Sequence, residues 1–158
     1  MIERTPMHFY PMTPGGTFHP TFDPHFNLNN KIYAEQNNIL REVAKKSDCV
    51  IVGRCADYIL REFSPLRVFV YSEMEKRIER CRRYAPESEH LTYKQLRSKI
   101  RSVDKERARY YEFFTGQKWG KPENFDLCIN TSNVSIDDWV SAMVSVTVAE
   151  RSAQKKPE

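Results

Sequence analysis

The sequence predicts an α/β domain built on a parallel sheet. Two short uninterrupted apolar runs, Cys49–Gly53 and Leu66–Tyr71, are typical of strands that are buried on both faces. A weaker third run is Asp126–Asn130. Helical patterns lie between and after these runs, which favours right-handed crossover connections and parallel strands. With 158 residues, the chain has room for one domain.

The chain divides into three parts on composition. Residues 1–29 carry five prolines and the pair Gly15-Gly16, so this arm cannot form a regular helix or a central strand. Its aromatic rings indicate that it packs against another surface. We expect the α/β domain to span residues 30–150 and a polar tail to span 151–158.

Capping signals predict where the helices begin. The first helix is expected to start near Asn29-Asn30, because either side chain can accept from the first free amides of a helix. Three later motifs predict further helix starts by the same chemistry: Ser72-x-x-Glu75, Thr92-x-x-Gln95 and the looser Ser135-x-x-Asp138.

Charge and cysteine usage limit the class of protein. The formal net charge is +4, but twelve basic and five acidic residues lie between Lys76 and Arg109. Such a concentration indicates a polyanionic partner, either a phosphorylated small molecule or nucleic acid, and the alternative is a solvated helical surface. No apolar run approaches the roughly 20 residues that span a bilayer. The four scattered cysteines fit reduced thiols, so we expect a cytoplasmic protein.

Gly53-Arg54 directly follows the first predicted strand. Ligands of open α/β sheets bind beyond the carboxyl ends of the strands, so Arg54 is placed to grip a phosphate. The alternative is an arginine that caps a carbonyl or pairs with Asp57. Cys55, beside it, is the one thiol whose position suggests a lowered pKa and hence reactivity. Cys49 and Cys128 lie within predicted strands and are expected in the core.

The long helix from Thr92 carries an arginine on its apolar face. Asp104 lies one turn before Arg107 and could hold its guanidinium in place, as anionic transfer chemistry requires. A snorkelling arginine is the alternative. The face is defined by residues at helical spacing: Leu96, Ile100, Val103, Arg107, Tyr110 and Phe114.

Two further arginine pairs, Arg77 with Arg80 and Arg97 with Arg101, could line two sides of one cleft. Each alone is typical of an exposed surface. The four histidines show no ligand spacing, so we expect no metal site. The glycine-hinged segment Thr115–Gly120 is either a lid or a connection.

Four motifs in order resemble the bacterial cytidylate kinase-like family of P-loop nucleoside monophosphate kinases over about residues 30–145. The motifs are Cys49–Leu60 (CVIVGRCADYIL), Asp104-x-x-Arg107-x-x-Tyr110-Tyr111, Tyr111-x-x-Phe114-Thr-Gly-Gln-Lys-Trp-Gly120 and Pro122–Asn130 (PENFDLCIN). The resemblance implies a three-layer parallel sheet with helices on both faces. It also implies ATP and Mg²⁺ as cofactors and a CMP-like acceptor.

The resemblance also assigns roles to individual residues. Gly53 and Arg54 match the turn that holds the acceptor phosphate. Asp104 and Arg107 match a lid pair that contacts the substrate and the transferring phosphoryl group. Arg101 lies one position from a family lid arginine and is grouped with Arg107 as catalytic. The family places an arginine at Arg80 against the ATP base, and Arg77 is grouped with it on the donor side.

The sequence departs from the family in one large feature: it contains no G-x-x-x-x-G-K-[ST] phosphate-binding loop. The implied sheet is therefore incomplete, lacking the first strand, the loop and the second strand, and its exposed edges favour self-association. Three hypotheses follow: a kinase domain, a non-catalytic nucleotide-binding module, or part of a longer protein. We do not expect membrane association or nucleic-acid binding.

Overall fold

The computed structural model describes residues 26–85 and 91–154. Most of the predicted arm, including Gly15-Gly16, lies outside this part, as do the four histidines. In chain order the elements are α1 (Phe26–Lys46), α2 (Ala56–Ile59), a 3-10 turn (Arg61–Phe63), β1 (Val68–Tyr71), α3 (Met74–Tyr84), α4 (Tyr93–Thr115), a second 3-10 turn (Pro122–Asn124), β2 (Leu127–Asn130) and α5 (Ile136–Gln154).

The two strands pair in parallel, as the sequence predicted. Their register runs from Val68 opposite Leu127 to Tyr71 opposite Asn130. At the start of the pair, the Arg67 guanidinium donates two hydrogen bonds to Asp126, of 2.7 and 3.0 Å. These hydrogen bonds lower the pKa of Asp126. The crossover between the strands contains α3 and α4, so an α/β arrangement is confirmed.

The predicted strand Cys49–Gly53 is wrong for this structure. The segment has no assigned strand, and the described sheet consists of β1 and β2 alone. The Val50 and Val52 side chains are 95% and 88% exposed. The physical reason is that a strand is defined by hydrogen bonds to a neighbour, and no described strand lies alongside this segment. The prediction of core positions for Cys49 and Cys128 is also wrong, because both are exposed.

Of the four predicted helix caps, those at Thr92 and Ser135 are confirmed. Thr92 and Gln95 form the complete reciprocal box at the start of α4. Ser135 accepts from the Asp138 amide at 3.0 Å. The Ser72 prediction is wrong: α3 begins after Glu73 without a side-chain cap. The first helix begins at Phe26, earlier than the sequence indicated, and α5 extends through Gln154 into the predicted tail.

Among the described residues, two small buried clusters both include side chains of α4, and Ile129 of β2 is buried apart from them. The first contains the buried residues of α2 and Tyr111, and half-buried rings such as Tyr33 and Phe114 stack beside it with centroids 4.0 Å apart. The second joins Ile78 of α3 to Leu96 and Ile100 of α4. The apolar face of α4 therefore contacts one cluster at each end, and Asp104 and Arg107 lie between them in the sequence.

The segment Thr115–Gly120 is packed against the sheet, which favours the connection over the lid. The Trp119 ring meets Phe69 of β1 edge-on, with centroids 5.4 Å apart. Gly120 has a φ of 73°, and a Cβ there would lie 2.9 Å from the Phe69 ring. A side chain at position 120 would therefore clash with the Phe69 ring, whose contact with Trp119 holds the segment against the sheet. Among the described residues, no helix has the length and apolar character needed to cross a bilayer.

Candidate functional site

The turn that carries Arg54 has an unusual backbone. Gly53, Arg54 and Cys55 have φ values of 74°, 60° and 54°, so two non-glycine residues adopt the left-handed conformation in succession. This conformation costs roughly 1–2 kcal/mol per non-glycine residue and persists only where the surrounding structure imposes it. Cys55 and Ala56 are buried in the first cluster, and this packing holds the turn in place. Strain of this kind is concentrated at functional sites.

A partly buried hydrogen bond joins this turn to α4. The Tyr111 hydroxyl donates to Asp57 at 2.6 Å and lies 3.0 Å from the amide oxygen of Gln117. Burial and the Asp57 carboxylate both raise the pKa of Tyr111. Because Asp57 follows Arg54 by three residues, and Tyr111 follows Arg107 by one turn, this bond fixes the relative positions of the two segments that carry the arginines.

The charge of Arg54 acts on Tyr110 of α4. Burial raises the pKa of Tyr110 to about 12, and the positive charge of Arg54 partly opposes that shift. Tyr110 lies three residues after Arg107 on the same helix. The charge of Arg54 therefore acts on a side chain of α4 three residues from Arg107.

Asp104 is shared by two arginines. It accepts two hydrogen bonds from Arg77 of α3, at 2.6 and 2.9 Å, and one from Arg107, at 3.1 Å. The three side chains are between 23% and 37% exposed, so the network is partly shielded from solvent. The Asp104 hydrogen bonds raise the pKa of Arg77. The predicted Asp104–Arg107 contact is confirmed, and a contact to α3 is added to it.

Arg80 lies at the carboxyl ends of both strands. Its Nη2 donates to the Ser72 hydroxyl at 2.7 Å, just after β1, and to the Thr131 hydroxyl at 3.1 Å, just after β2. Ser132 completes this edge by accepting from the Glu73 amide at 2.8 Å and donating to Asn130 at 2.6 Å. Ser72, which the sequence suggested as a helix cap, binds Arg80 instead.

The arginine pairs predicted to line one cleft have different surroundings in the structure. Arg77 and Arg80 bind different partners, Asp104 and the strand ends respectively. Arg101 is exposed on α4. Arg97 is half-buried, and its Nε has no hydrogen-bond partner.

The prediction of a reactive Cys55 is wrong. Cys55 is only 4% exposed. Burial, with a contribution from the Asp57 charge, raises the pKa of its thiol to about 12. A thiol with a raised pKa holds its proton near neutral pH and is a poor nucleophile.

Asp57 and Tyr111 were missed as positioning residues. In the sequence Tyr111 belongs to two of the family motifs, and the position of Asp57 indicates only a possible pair with Arg54. Their contact joins positions 54 residues apart, so no helical or strand periodicity could reveal it. The described residues contain no group of three or more His, Cys, Asp or Glu side chains able to hold a metal ion.

Comparison with known proteins gives a family and a structural neighbour. No curated protein matches the chain. The solved structure of an uncharacterized protein from Eubacterium ventriosum aligns with a TM-score of 0.68 at 26% identity, over 81% of this chain and 69% of that one. This likeness supports the α/β fold described above. The model of the cytidylate kinase-like family matches residues 3–133, and the chain therefore belongs to the cytidylate kinase-like family.

Proposed function

We propose that this chain is a nucleoside monophosphate kinase-like domain that recognises a CMP-type acceptor and serves ATP-dependent phosphoryl transfer to it. The proposal rests on the hydrogen bond between Asp57 and Tyr111. This bond joins the turn that carries Arg54 to the helix that carries Arg107. Phosphoryl transfer depends mainly on positioning and on compensation of charge, so arginines held by a rigid frame are what this chemistry needs.

On the acceptor side, Gly53 and Arg54 would bind the nucleotide phosphate. Arginine suits this role because its planar guanidinium can donate two parallel hydrogen bonds to one anion. Arg107, held by Asp104, would contact the acceptor nucleotide and balance charge on the transferring group. Arg101, which is exposed on the same helix, would act beside it.

On the donor side, Arg80 is the better-supported candidate for contact with the ATP base. It lies at the carboxyl edge of the sheet, where ligands of α/β folds bind. Arg77, grouped with it from the sequence, is engaged by Asp104, so we assign it a positioning role. Mg²⁺ would be held through nucleotide phosphates rather than by a protein cage. For the ATP phosphates the residues present do not fit, because the sequence has no glycine-rich phosphate loop.

That misfit favours one alternative, a non-catalytic module that binds a nucleotide through the acceptor and lid arginines. The kinase domain and the non-catalytic module both require a pocket that binds CMP. Only the kinase domain would catalyse phosphoryl transfer to CMP. Calorimetric titration with CMP in the absence of ATP tests what they share. A coupled assay of ADP release with CMP, UMP and AMP then separates them.

The residue test uses three variants of the full chain. Arg54→Ala and Arg107→Ala should each weaken CMP binding by roughly 10- to 100-fold, the loss expected when a charge-assisted hydrogen bond to phosphate is removed. Lys105→Ala is the matched control: it removes an exposed cation from the same helix and should leave binding unchanged. Absence of CMP binding, or equal losses in all three variants, would contradict the proposal.

A further inference from the structure

Arg80 is held at the ends of both strands by neutral oxygen atoms. Its Nη2 donates to the Ser72 hydroxyl at 2.7 Å, and to the hydroxyl and the carbonyl of Thr131 at 3.1 and 3.3 Å. The Thr131 hydroxyl donates its own proton to the Tyr71 carbonyl at 3.2 Å, so it meets Arg80 as an acceptor. Contacts after β1 and after β2 therefore fix the position of the guanidinium.

A buried hydroxyl orients Ser72 in turn. Ser132, which is 8% exposed, donates to the Asn130 amide oxygen at 2.6 Å, and its oxygen lies 3.3 Å from the Ser72 oxygen. Because Ser132 has a single hydroxyl proton, the proton between the two serines comes from Ser72. Ser72 is therefore a donor to Ser132 and an acceptor for Arg80.

The charge of Arg80 has no carboxylate partner within residues 26–85 and 91–149. Two other half-buried arginines do have one, since Arg67 pairs with Asp126 and Arg77 pairs with Asp104. Such pairing is the rule, because a charge that is partly removed from water is costly unless an opposite charge compensates it.

The acidic residues around α3 are engaged elsewhere. Glu73, just before the helix, is exposed and joins the network through its backbone amide, which donates to Ser132 at 2.8 Å. The two carboxylates within α3 have other partners: Glu75 accepts from Tyr93, and Glu79 pairs with Lys76 and Arg83. The positive charge of Arg80 is thus available to an anion from outside the chain.

Three N–H donors of Arg80 are also available. A guanidinium carries five N–H groups, of which two belong to Nη2. In the part of the chain that the structure describes, Nη2 makes all the hydrogen bonds of this side chain, and Nε and Nη1 make none. The carboxyl ends of parallel strands are where ligands of α/β folds bind. A fixed cation that can only donate hydrogen bonds suits the oxygens of a phosphate group.

We propose that Arg80, positioned by Ser72 and Thr131, is a phosphate-binding subsite at the carboxyl edge of the sheet. The phosphate group belongs either to inorganic phosphate or to a nucleotide. This subsite uses none of the residues assigned to the acceptor, so the proposal goes beyond the proposed function and does not depend on it. An anion meets the edge of a guanidinium and a base stacks on its face, so the base contact proposed above uses a different part of Arg80.

Titration of the full chain with inorganic phosphate tests the subsite. The shifts of the Thr131 and Ser132 backbone amide resonances in NMR spectra report binding, and sodium chloride at equal ionic strength is the reference. We expect saturation with a dissociation constant of roughly 1–10 mM, a weak affinity typical of few contacts. Arg80→Met should weaken binding at least about 10-fold, because it removes the charged donors.

Two control variants separate this subsite from other cations. Arg82→Met removes an exposed arginine from the same helix, and Arg54→Ala removes the proposed acceptor arginine. Both should leave the phosphate affinity unchanged. Absence of a saturable shift, equal losses for Arg80→Met and Arg82→Met, or loss of binding in Arg54→Ala alone would overturn the proposal.

Thr131→Val tests the positioning role and keeps Arg80 in the chain, so it remains informative if Arg80→Met does not fold. It should weaken phosphate binding by about 3- to 10-fold, and Thr131→Ser should restore the affinity, because serine keeps the hydroxyl. Circular dichroism verifies that each variant is folded. An unchanged affinity in folded Thr131→Val would contradict the role of Thr131.

Titration with ATP and with adenosine identifies the source of the phosphate group. If ATP shifts the same resonances at concentrations at least about 10-fold lower than inorganic phosphate and adenosine does not, the subsite binds a nucleotide phosphate. If ATP binds no more tightly than inorganic phosphate, the subsite binds the free ion. Equal shifts with ATP and adenosine would show that the phosphate group is not recognised and would overturn the proposal.

Discussion

At the scale of single residues, we expect Asp104 to contribute both to stability and to CMP binding, although it lies near the surface of α4. It joins two arginines from different helices, and both are partly shielded. We predict that Asp104→Asn lowers the free energy of unfolding by about 1–2 kcal/mol, since it replaces charge-assisted hydrogen bonds with weaker neutral ones. It should also weaken CMP binding several-fold, because Arg107 loses the group that orients it.

Chemical denaturation and calorimetry measure the two effects of Asp104→Asn. Glu123→Gln is the matched control, because it alters an exposed carboxylate 3.9 Å from Lys121 and should change stability by less than about 0.5 kcal/mol. Equal destabilisation by the two variants would show that the shared position of Asp104 adds nothing.

Cys55 offers a second test at the residue scale. Three of the four thiols are exposed and Cys55 is buried, with a pKa raised to about 12. Because the folded pKa exceeds the ordinary value, the protonated thiol is compatible with the fold below pH 9. The stability that this burial provides is lost as pH rises from 9 towards 12.

We therefore predict that a maleimide at pH 7.5 labels Cys49, Cys81 and Cys128 rapidly in the folded chain. Cys55 should react at least about 100-fold more slowly, and all four should react alike in denaturant. Mass spectrometry of digested samples identifies the labelled sites. Rapid native labelling of Cys55 would mean that the Arg54 turn opens readily and is not held by the core.

At the scale of elements, the segment after α4 depends on two glycines for different reasons. Gly116 ends the helix with a φ of 69° in open space, whereas Gly120 has a φ of 73° and faces the Phe69 ring. We predict that Gly116→Ala costs roughly 1 kcal/mol from backbone strain alone. Gly120→Ala should cost at least about 1 kcal/mol more, because its Cβ must also displace an aromatic ring that packs against Trp119 and Phe125.

Urea denaturation of the two glycine variants gives the comparison directly. A smaller loss for Gly120→Ala than for Gly116→Ala would show that the Trp119 contact is loose and would revive the lid interpretation. Far-UV circular dichroism verifies that α4 keeps its length in both variants.

The same scale separates what the sequence could predict from what it could not. Strands β1 and β2 and the Thr92 cap were predictable, because apolar strand runs and capping boxes are patterns of neighbouring residues. The prediction of a strand over Cys49–Gly53 was wrong. An apolar run indicates that a segment is suited to burial, but a strand also needs a neighbouring strand, and the described residues provide none beside this segment.

Contacts in the site between residues far apart in the sequence could not be predicted from local sequence patterns. The Asp104–Arg107 contact is one helical turn and was predictable from spacing. The Arg77–Asp104 pair joins positions 27 residues apart, and the Arg80 contact to Thr131 joins positions 51 apart. Such pairs depend on how α3 packs against α4 and β2, which no periodicity in one helix specifies.

At the scale of the whole molecule, positive charge is concentrated where the candidate site lies. The stretch Lys76–Arg109 carries twelve basic against five acidic residues, although the whole chain has a net charge of only +4. This stretch includes Arg77, Arg80, Asp104 and Arg107. Its field would attract a phosphorylated ligand before any hydrogen bond forms.

This charge distribution predicts that CMP binding weakens as salt concentration rises, by roughly 3- to 10-fold between about 50 and 300 mM KCl, since the Debye length shortens over that range. Cytidine, which has no phosphate, should bind more weakly and with little salt dependence. Calorimetric titration of both ligands at each salt concentration supplies the comparison. If the affinities for CMP and cytidine change in parallel, the basic stretch is an ordinary solvated surface and the arginines do not recognise phosphate.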